Sequence, residues 1–125
     1  MQIISKQKKI LVLDRNNRIR SVVDEMLIYE DWDVSLIYDP YSVHQKAQDK
    51  KPDVILLDYL LLDNDCVNIC WDLREDPELQ RVPIIVVTSY KSRRTNADVF
   101  KCDALFIKPL DMTVLASRME YLMAS

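Results

Sequence analysis

The sequence predicts an α/β domain, a doubly wound parallel sheet of five strands flanked by five helices. Three observations carry that expectation. The apolar runs Ile10–Leu13, Val54–Leu57 and Ile84–Val87 are short, partly β-branched and bounded by polar residues, as strands buried on both faces of a parallel sheet are. Segments with apolar residues at helical spacing lie between the runs, so strand and helix alternate five times. A chain of 125 residues with 49% apolar composition suits one domain over 1–125, its core at about 8–123.

Each element has its own signal. After the first run, Ile19, Val22, Val23, Met26 and Leu27 fall at i, i+3, i+4, i+7 and i+8, one face of a helix that Asn16 or Asn17 would cap. Val34–Tyr38 reads as a weaker strand, followed by a helix over 41–49. The second run leads to a helix over 66–75, and the third to one over 91–100. Ala104–Ile107 is the last and weakest strand. Met112, Leu115, Ala116, Met119, Leu122 and Met123 then form a helical stripe behind Asp111, a natural N-cap. No linker, repeat or low-complexity stretch interrupts the order. Right-handed crossovers follow from the alternation, and ligands of such sheets bind at the carboxyl ends of the strands.

Composition excludes several classes. A net charge of −3 provides no basic face for nucleic acid. The longest apolar stretch, Val54–Leu62, is broken by Asp58 and falls far short of the ~20 residues of a membrane span. The opening MQIISKQKK lacks the apolar centre of an export signal. Three cysteines in no paired spacing suit a reducing compartment, so the expected location is cytoplasmic. Cys66 and Cys70 stand four apart, but with only His44 and Cys102 as further soft ligands they read as small buried residues rather than a zinc site. His44 reads as a surface helix residue, and Trp32 and Trp71 as packing residues. There is no glycine, which excludes Gly-rich phosphate loops and forces turns onto Asn, Asp, Pro or strained residues.

Polar residues close four strands: Asp14, Asp58, Thr88, and Lys108 followed by Pro109. Any one of them only ends a strand. Together they offer a carboxylate nucleophile or ligand, a second carboxylate, a hydroxyl and an ammonium at one sheet edge. The blocks KKILVLDRNNRIR, KPDVILLDYLLLDNDC, VPIIVVTS and ALFIKPLD resemble, in order, the four signature blocks of the receiver domain of bacterial two-component response regulators. The resemblance runs from about Lys8 to Leu122. It implies a flavodoxin-like sheet in the order 2-1-3-4-5 and a phosphoryl group accepted on an aspartate from a sensor histidine kinase or phosphotransfer protein. By match, Asp58 is the phosphoacceptor, Lys108 the cation on the phosphoryl oxygens, and Thr88 the switch hydroxyl, with Ser89 small beside it. Mg²⁺ would be held by Asp14, Asp58 and the backbone carbonyl of Leu60.

The chain departs from the family pattern at several positions. Arg15 replaces the second acid of the usual pair, which implies a weakened Mg²⁺ site. Its guanidinium either swings out to solvent or folds in to pair with Asp58 or a phosphoryl oxygen. Leu62 and Cys66 replace a common proline and glycine, so left-handed backbone at Asp63, Asn64 or Asp65 is expected to make the turn. Lys101 stands where a glycine usually closes the fourth helix, and the stretch from Thr88 to Lys108 looks short. Leu105 replaces the switch aromatic of the fifth strand, while Phe106 should point to the opposite face. Lys91, Arg93 and Arg94 form a basic run at the start of the fourth helix; such a run is usually a solvated face, while the resemblance implies a surface of the fourth helix, fifth strand and fifth helix that meets a second receiver or an output domain. The main alternative is a pseudo-receiver, a protein-binding domain independent of phosphorylation. An aspartyl phosphatase of the haloacid dehalogenase type would need Asp-x-Asp where the chain has Asp14-Arg15-Asn16.

Overall fold

The structure is a computed structural model that describes residues 8–15, 32–59, 62–90, 100–108 and 111–124. Strands β1 (Lys9–Arg15), β2 (Asp33–Ile37), β3 (Val54–Tyr59), β4 (Ile84–Thr88) and β5 (Ala104–Ile107) pair in the order β2-β1-β3-β4-β5, every pair parallel. A 3-10 turn at Pro40–Ser42 leads into helix α1 (Val43–Lys50), and α2 (Asn64–Glu75) and α3 (Met112–Ala124) follow. The helices expected over 19–27 and 91–100, with Asn16 and Asn17, lie outside the described residues, apart from Phe100.

The strand order explains the uneven strength of the sequence signals. The residues of β3 and β4 are all buried, as is β1 from Ile10 to Asp14, whereas the edge strands β2 and β5 are half-buried or exposed. Only strands covered on both faces need continuous apolar runs. Alternation along them builds two cores. Leu11, Leu13, Ile55, Leu57, Ile84 and Val86 pack on one face beneath α1 and α2, with Leu105 at the margin. Ile10, Val12, Leu56, Ile85 and Val87 pack on the other with Leu115 and Met119 of α3, and Phe106 lies against this second cluster. Phe106 and Leu105 thus point to opposite faces, as period-two alternation requires.

The strands run further than their apolar cores. Asp14, Asp58 and Thr88 are ladder residues rather than residues beyond the strands, and Lys108 alone lies just past its strand. Polar side chains at strand ends keep their backbone pairing, which an apolar-run criterion does not register.

Without glycine, aspartates and lysines shape the turns. The Asp39 carboxylate accepts from the Tyr41 N–H at 3.0 Å and the Ser42 hydroxyl at 2.9 Å. Asp63 caps α2 by accepting from the Cys66 N–H at 3.2 Å. Its backbone is extended and Asn64 already starts the helix, so the left-handed turn expected at 63–65 does not form; a side-chain cap replaces it. Asp111 caps α3 as expected, accepting from the N–H groups of Thr113 and Val114. Left-handed backbone falls instead on Lys51, at φ 49°, and on Lys101, at φ 56°, where the glycine-like position was expected.

Trp71 corrects another expectation. The buried stripe of α2 is Cys66, Ile69, Cys70 and Leu73, which turns Trp71 to the surface at 44% exposure. Trp32, by contrast, packs against the second core. At the base of the sheet, Arg74 donates to the carbonyls of Lys101, Gln80 and Val82 and to the Asp103 carboxylate, at 2.6–3.1 Å. Asp103 also accepts from the Ile84 N–H at 2.8 Å. The guanidinium thereby joins the end of α2 to the starts of β4 and β5.

The left-handed C-cap of α1 yields a prediction. A side chain with a Cβ costs ~1–2 kcal/mol in that conformation, and glycine returns part of the gain as unfolded-state entropy. Lys51→Gly should therefore stabilise the domain by about 0.5–1 kcal/mol, read as a raised urea midpoint at unchanged slope.

Candidate functional site

Parallel register assembles the site. Asp14 on β1 stands directly opposite Asp58 on β3, and both side chains leave the sheet on the α3 side, the face of Val12 and Leu56. Asp58 has no solvent exposure and Asp14 only 7%. Two carboxylates so close, removed from water, require a counter-charge. Lys108 supplies it: its Nζ lies 3.0 Å from Asp58 Oδ1 and 3.3 Å from Oδ2. The Lys108 side chain is itself only 14% exposed. Its backbone N–H donates to the Thr88 carbonyl at 2.8 Å, so the β4–β5 ladder continues one residue beyond β5 and aims the ammonium across the sheet edge.

Thr88 stands beside Tyr59 in the β3–β4 register and is fully buried. Its hydroxyl donates to the Tyr90 carbonyl at 3.3 Å, and the Ser89 N–H donates to the Tyr59 carbonyl at 3.1 Å. The structure thus brings Asp14, Asp58, Thr88, Ser89 and Lys108 to one edge and joins Asp58 directly to Lys108. Leu60 and Pro109 lie outside the described residues. Arg15 is exposed and stands opposite Tyr59. Its charge opposes the rise of the Tyr59 phenol's pKa. Of the two orientations open to Arg15, this geometry is that of the solvent-facing one.

Tyr59 is a residue that sequence reading passed over. Its ring is buried and its hydroxyl has no hydrogen-bond partner among the described residues. Burial raises the phenol far above its usual pKa, and the nearby Asp63 carboxylate raises it further, while Arg15 opposes this. Its signal was its place directly after Asp58 in a fully buried strand, where a phenol is an anomaly. The cysteines sit nearby on the same face. A hydrogen bond with Cys70, and then burial, raise the Cys66 thiol, and burial pushes Cys102 up to about 12. These thiols stay protonated and behave as small core residues. His44 is a partly exposed residue of α1, its Nε2 2.7 Å from Asp76 Oδ2, away from the carboxylates.

The family profile described as "Response regulator receiver domain" matches residues 10–120, nearly the whole chain. The chain belongs to the response regulator receiver domain family. This receiver domain is 28% identical over 117 residues to the response regulator PleD of Caulobacter vibrioides, covering 91% of the chain and 26% of that protein. It is 26% identical over 114 residues to the phosphate regulon transcriptional regulatory protein PhoB of Rhizobium meliloti, covering 90% of the chain and 50% of PhoB. The chain therefore spans between a quarter and a half of these relatives. Among solved structures, a putative response regulator from Chloroflexus aurantiacus superimposes with a TM-score of 0.82 at 20% identity, covering 96% of this chain and all of that one. The receiver domain of the sensor histidine kinase PA1611 from Pseudomonas aeruginosa, solved with magnesium in its active site cleft, gives 0.80 at 24% identity, with coverage of 96% and 100%. Among the described residues, no helix is long and apolar enough to cross a membrane.

The buried Asp58–Lys108 pair makes a prediction about stability. Lys108→Met strands a carboxylate without its counter-charge and should destabilise the domain by about 2–4 kcal/mol. Adding Asp58→Asn to that variant should restore most of the loss in urea unfolding; a double variant as unstable as the single one would show that the pair is energetically idle.

Proposed function

We propose that this receiver domain accepts a phosphoryl group on Asp58 from a phosphohistidine of a sensor histidine kinase or phosphotransfer protein in the cytoplasm. The observation that carries this reading is the fully buried Asp58 carboxylate held 3.0 Å from Lys108 Nζ, beside Asp14 at the carboxyl edge of the sheet. An Asp58 oxygen attacks phosphorus, the phosphorus–nitrogen bond breaks, imidazole departs and an acyl phosphate remains. Lys108 then trades the lost carboxylate charge for the phosphoryl oxygens as a point charge. The Thr88 hydroxyl leaves the Tyr90 carbonyl for the phosphoryl group, and that exchange alters the partner surface. The domain acts as a signalling module over 1–125, with no catalysis beyond its own phosphotransfer and dephosphorylation. Its partners include a second receiver or an output domain on the surface of β5 and α3, and neither nucleic acid nor membrane.

The residues fit a divalent cation. Asp14 and Asp58 are adjacent hard oxygen donors of the kind Mg²⁺ takes, and the Leu60 carbonyl would complete the protein set. The magnesium in the cleft of the PA1611 receiver supports the same cation here. Bound there, Mg²⁺ would neutralise charge on the phosphoryl oxygens. Arg15 weakens this site by replacing a carboxylate with a cation. Arg15 and the aliphatic Leu105 also favour the second reading, a pseudo-receiver that binds partners without phosphorylation.

Incubation with acetyl phosphate and Mg²⁺ distinguishes the two. Intact-mass spectrometry should show one added phosphoryl group, lost in Asp58→Asn with the fold retained. An unchanged mass under conditions that label an ordinary receiver would leave the pseudo-receiver. Mg²⁺ affinity offers a second test. Arg15→Asp changes the local charge by two, worth about 1–2 kcal/mol on a divalent ion at ~8 Å. Its Mg²⁺ binding, followed by amide shifts of Asp14 and Asp58, should tighten about tenfold; equal affinities would place residue 15 outside the field of the metal.

A further inference from the structure

On the face of the sheet opposite α3, a groove of about 340 Å³ opens between the Pro40–Ser42 turn with α1 and the outer side of α2. Its aromatic walls are exposed: Tyr41 at 83% and Trp71 at 44%. Two carboxylates line it, Asp65 and Asp72, and among the described lining residues there is no lysine or arginine, although Lys101 Nζ reaches the Trp71 ring from outside. His44, which also lines it, is committed to Asp76, 2.7 Å away. Gln48 donates to the same Asp76 oxygen at 2.9 Å. The hydrogen bonds from His44 and Gln48 and from the Glu78 N–H hold the Asp76 carboxyl at about 2. Asp76 thus holds His44 in place at the groove.

The helical register places these groups for a ligand. Asp65, Asn68, Ile69 and Asp72 fall at i, i+3, i+4 and i+7 on α2, so their side chains form one ridge. Ile69 is buried at its centre and supplies an apolar floor, with a carboxylate near each end. The Trp71 ring already receives one cation, Lys101 Nζ at 5.2 Å from its centroid, which leaves Tyr41, 83% exposed, as the ring open to a further positive charge. Exposed aromatic faces next to unpaired-sign carboxylates suit a planar cation that stacks and forms two parallel hydrogen bonds at once.

We propose that this groove docks an arginine-bearing segment of a partner protein, its guanidinium stacked on Tyr41 and paired with Asp72 or Asp65. None of its lining residues is one of the Asp14, Asp58, Thr88 and Lys108 set, so the inference does not rest on phosphoryl transfer. Arginine is preferred to lysine because the guanidinium is planar and weakly hydrated, and so loses less on leaving water to stack.

The test is an amide-shift titration of the full chain with a blocked peptide carrying two arginines. Its citrulline counterpart, isosteric but uncharged, is the control. Saturable shifts should concentrate on Tyr41, His44, residues 65–72 and the Trp71 indole N–H. The citrulline peptide should bind at least about tenfold more weakly. Tyr41→Ala and Asp72→Asn, both at exposed positions, should each weaken binding about two- to fivefold, and together by about tenfold or more. The unperturbed remainder of each spectrum verifies the fold. Non-saturating shifts spread over the acidic surface, or an affinity unmoved by the double variant, would overturn the proposal. So would the same shifts produced by concentrating the protein without peptide, which would assign the groove to a second copy of this chain.

Discussion

A carboxylate withdrawn completely from solvent costs several kcal/mol unless a positive charge is fixed beside it, and Asp58 is withdrawn completely. Much of the carboxyl edge follows from meeting that cost. The ammonium must come from a residue that is close in space yet remote along the chain, and Lys108 is fifty residues away. It reaches Asp58 only because β5 pairs with β4, β4 with β3, and the last ladder bond, from the Lys108 N–H to the Thr88 carbonyl, sets where the side chain begins. Asp14 adds a second carboxylate on the neighbouring strand, directly opposite Asp58.

The same edge shows how polar function and apolar packing share a strand. In β3 the face that carries Val54 and Leu56 ends in Asp58, and the face that carries Ile55 and Leu57 ends in Tyr59. The core therefore reaches to within one residue of the carboxylate on one side and includes the next residue on the other. A phenol with no hydrogen-bond partner among the described residues is an unusual group to bury there, since desolvating a hydroxyl is unfavourable. The ring compensates through its packing, in the same cluster as Cys66.

Much of this was legible in the amino acids because the constraints were local and repeated. Three apolar runs fixed the central strands, and the periodic stripe behind Asp111 fixed the last helix. The residues ending the runs marked the candidate site, since a doubly wound sheet gathers its strand ends. What escaped depended on relations between distant residues. The capping role of Asp63 was hidden by the expectation that a missing glycine must be replaced by another left-handed residue. The surface place of Trp71 followed from which stripe of α2 faced the sheet, and one residue of phase decides that. Neither the Arg74 fork nor the pairing of His44 with Asp76 leaves any mark in spacing, because both join segments about thirty residues apart.

Arg74 bears on motion as well as on architecture. Its guanidinium fastens the loop before β4 and the segment before β5 at the end of the sheet remote from Asp58, and Asp103 fastens the first residue of β4 to the same point. Two adjacent strands clamped at their amino ends have a fulcrum there. A displacement imposed on Thr88 or Lys108 at the other end then makes β4 and β5 pivot rather than slide, and the movement is greatest at the carboxyl edge and vanishes toward Ile84 and Ala104. The clamp thus sets the length along β4 and β5 over which a movement at the edge would be carried.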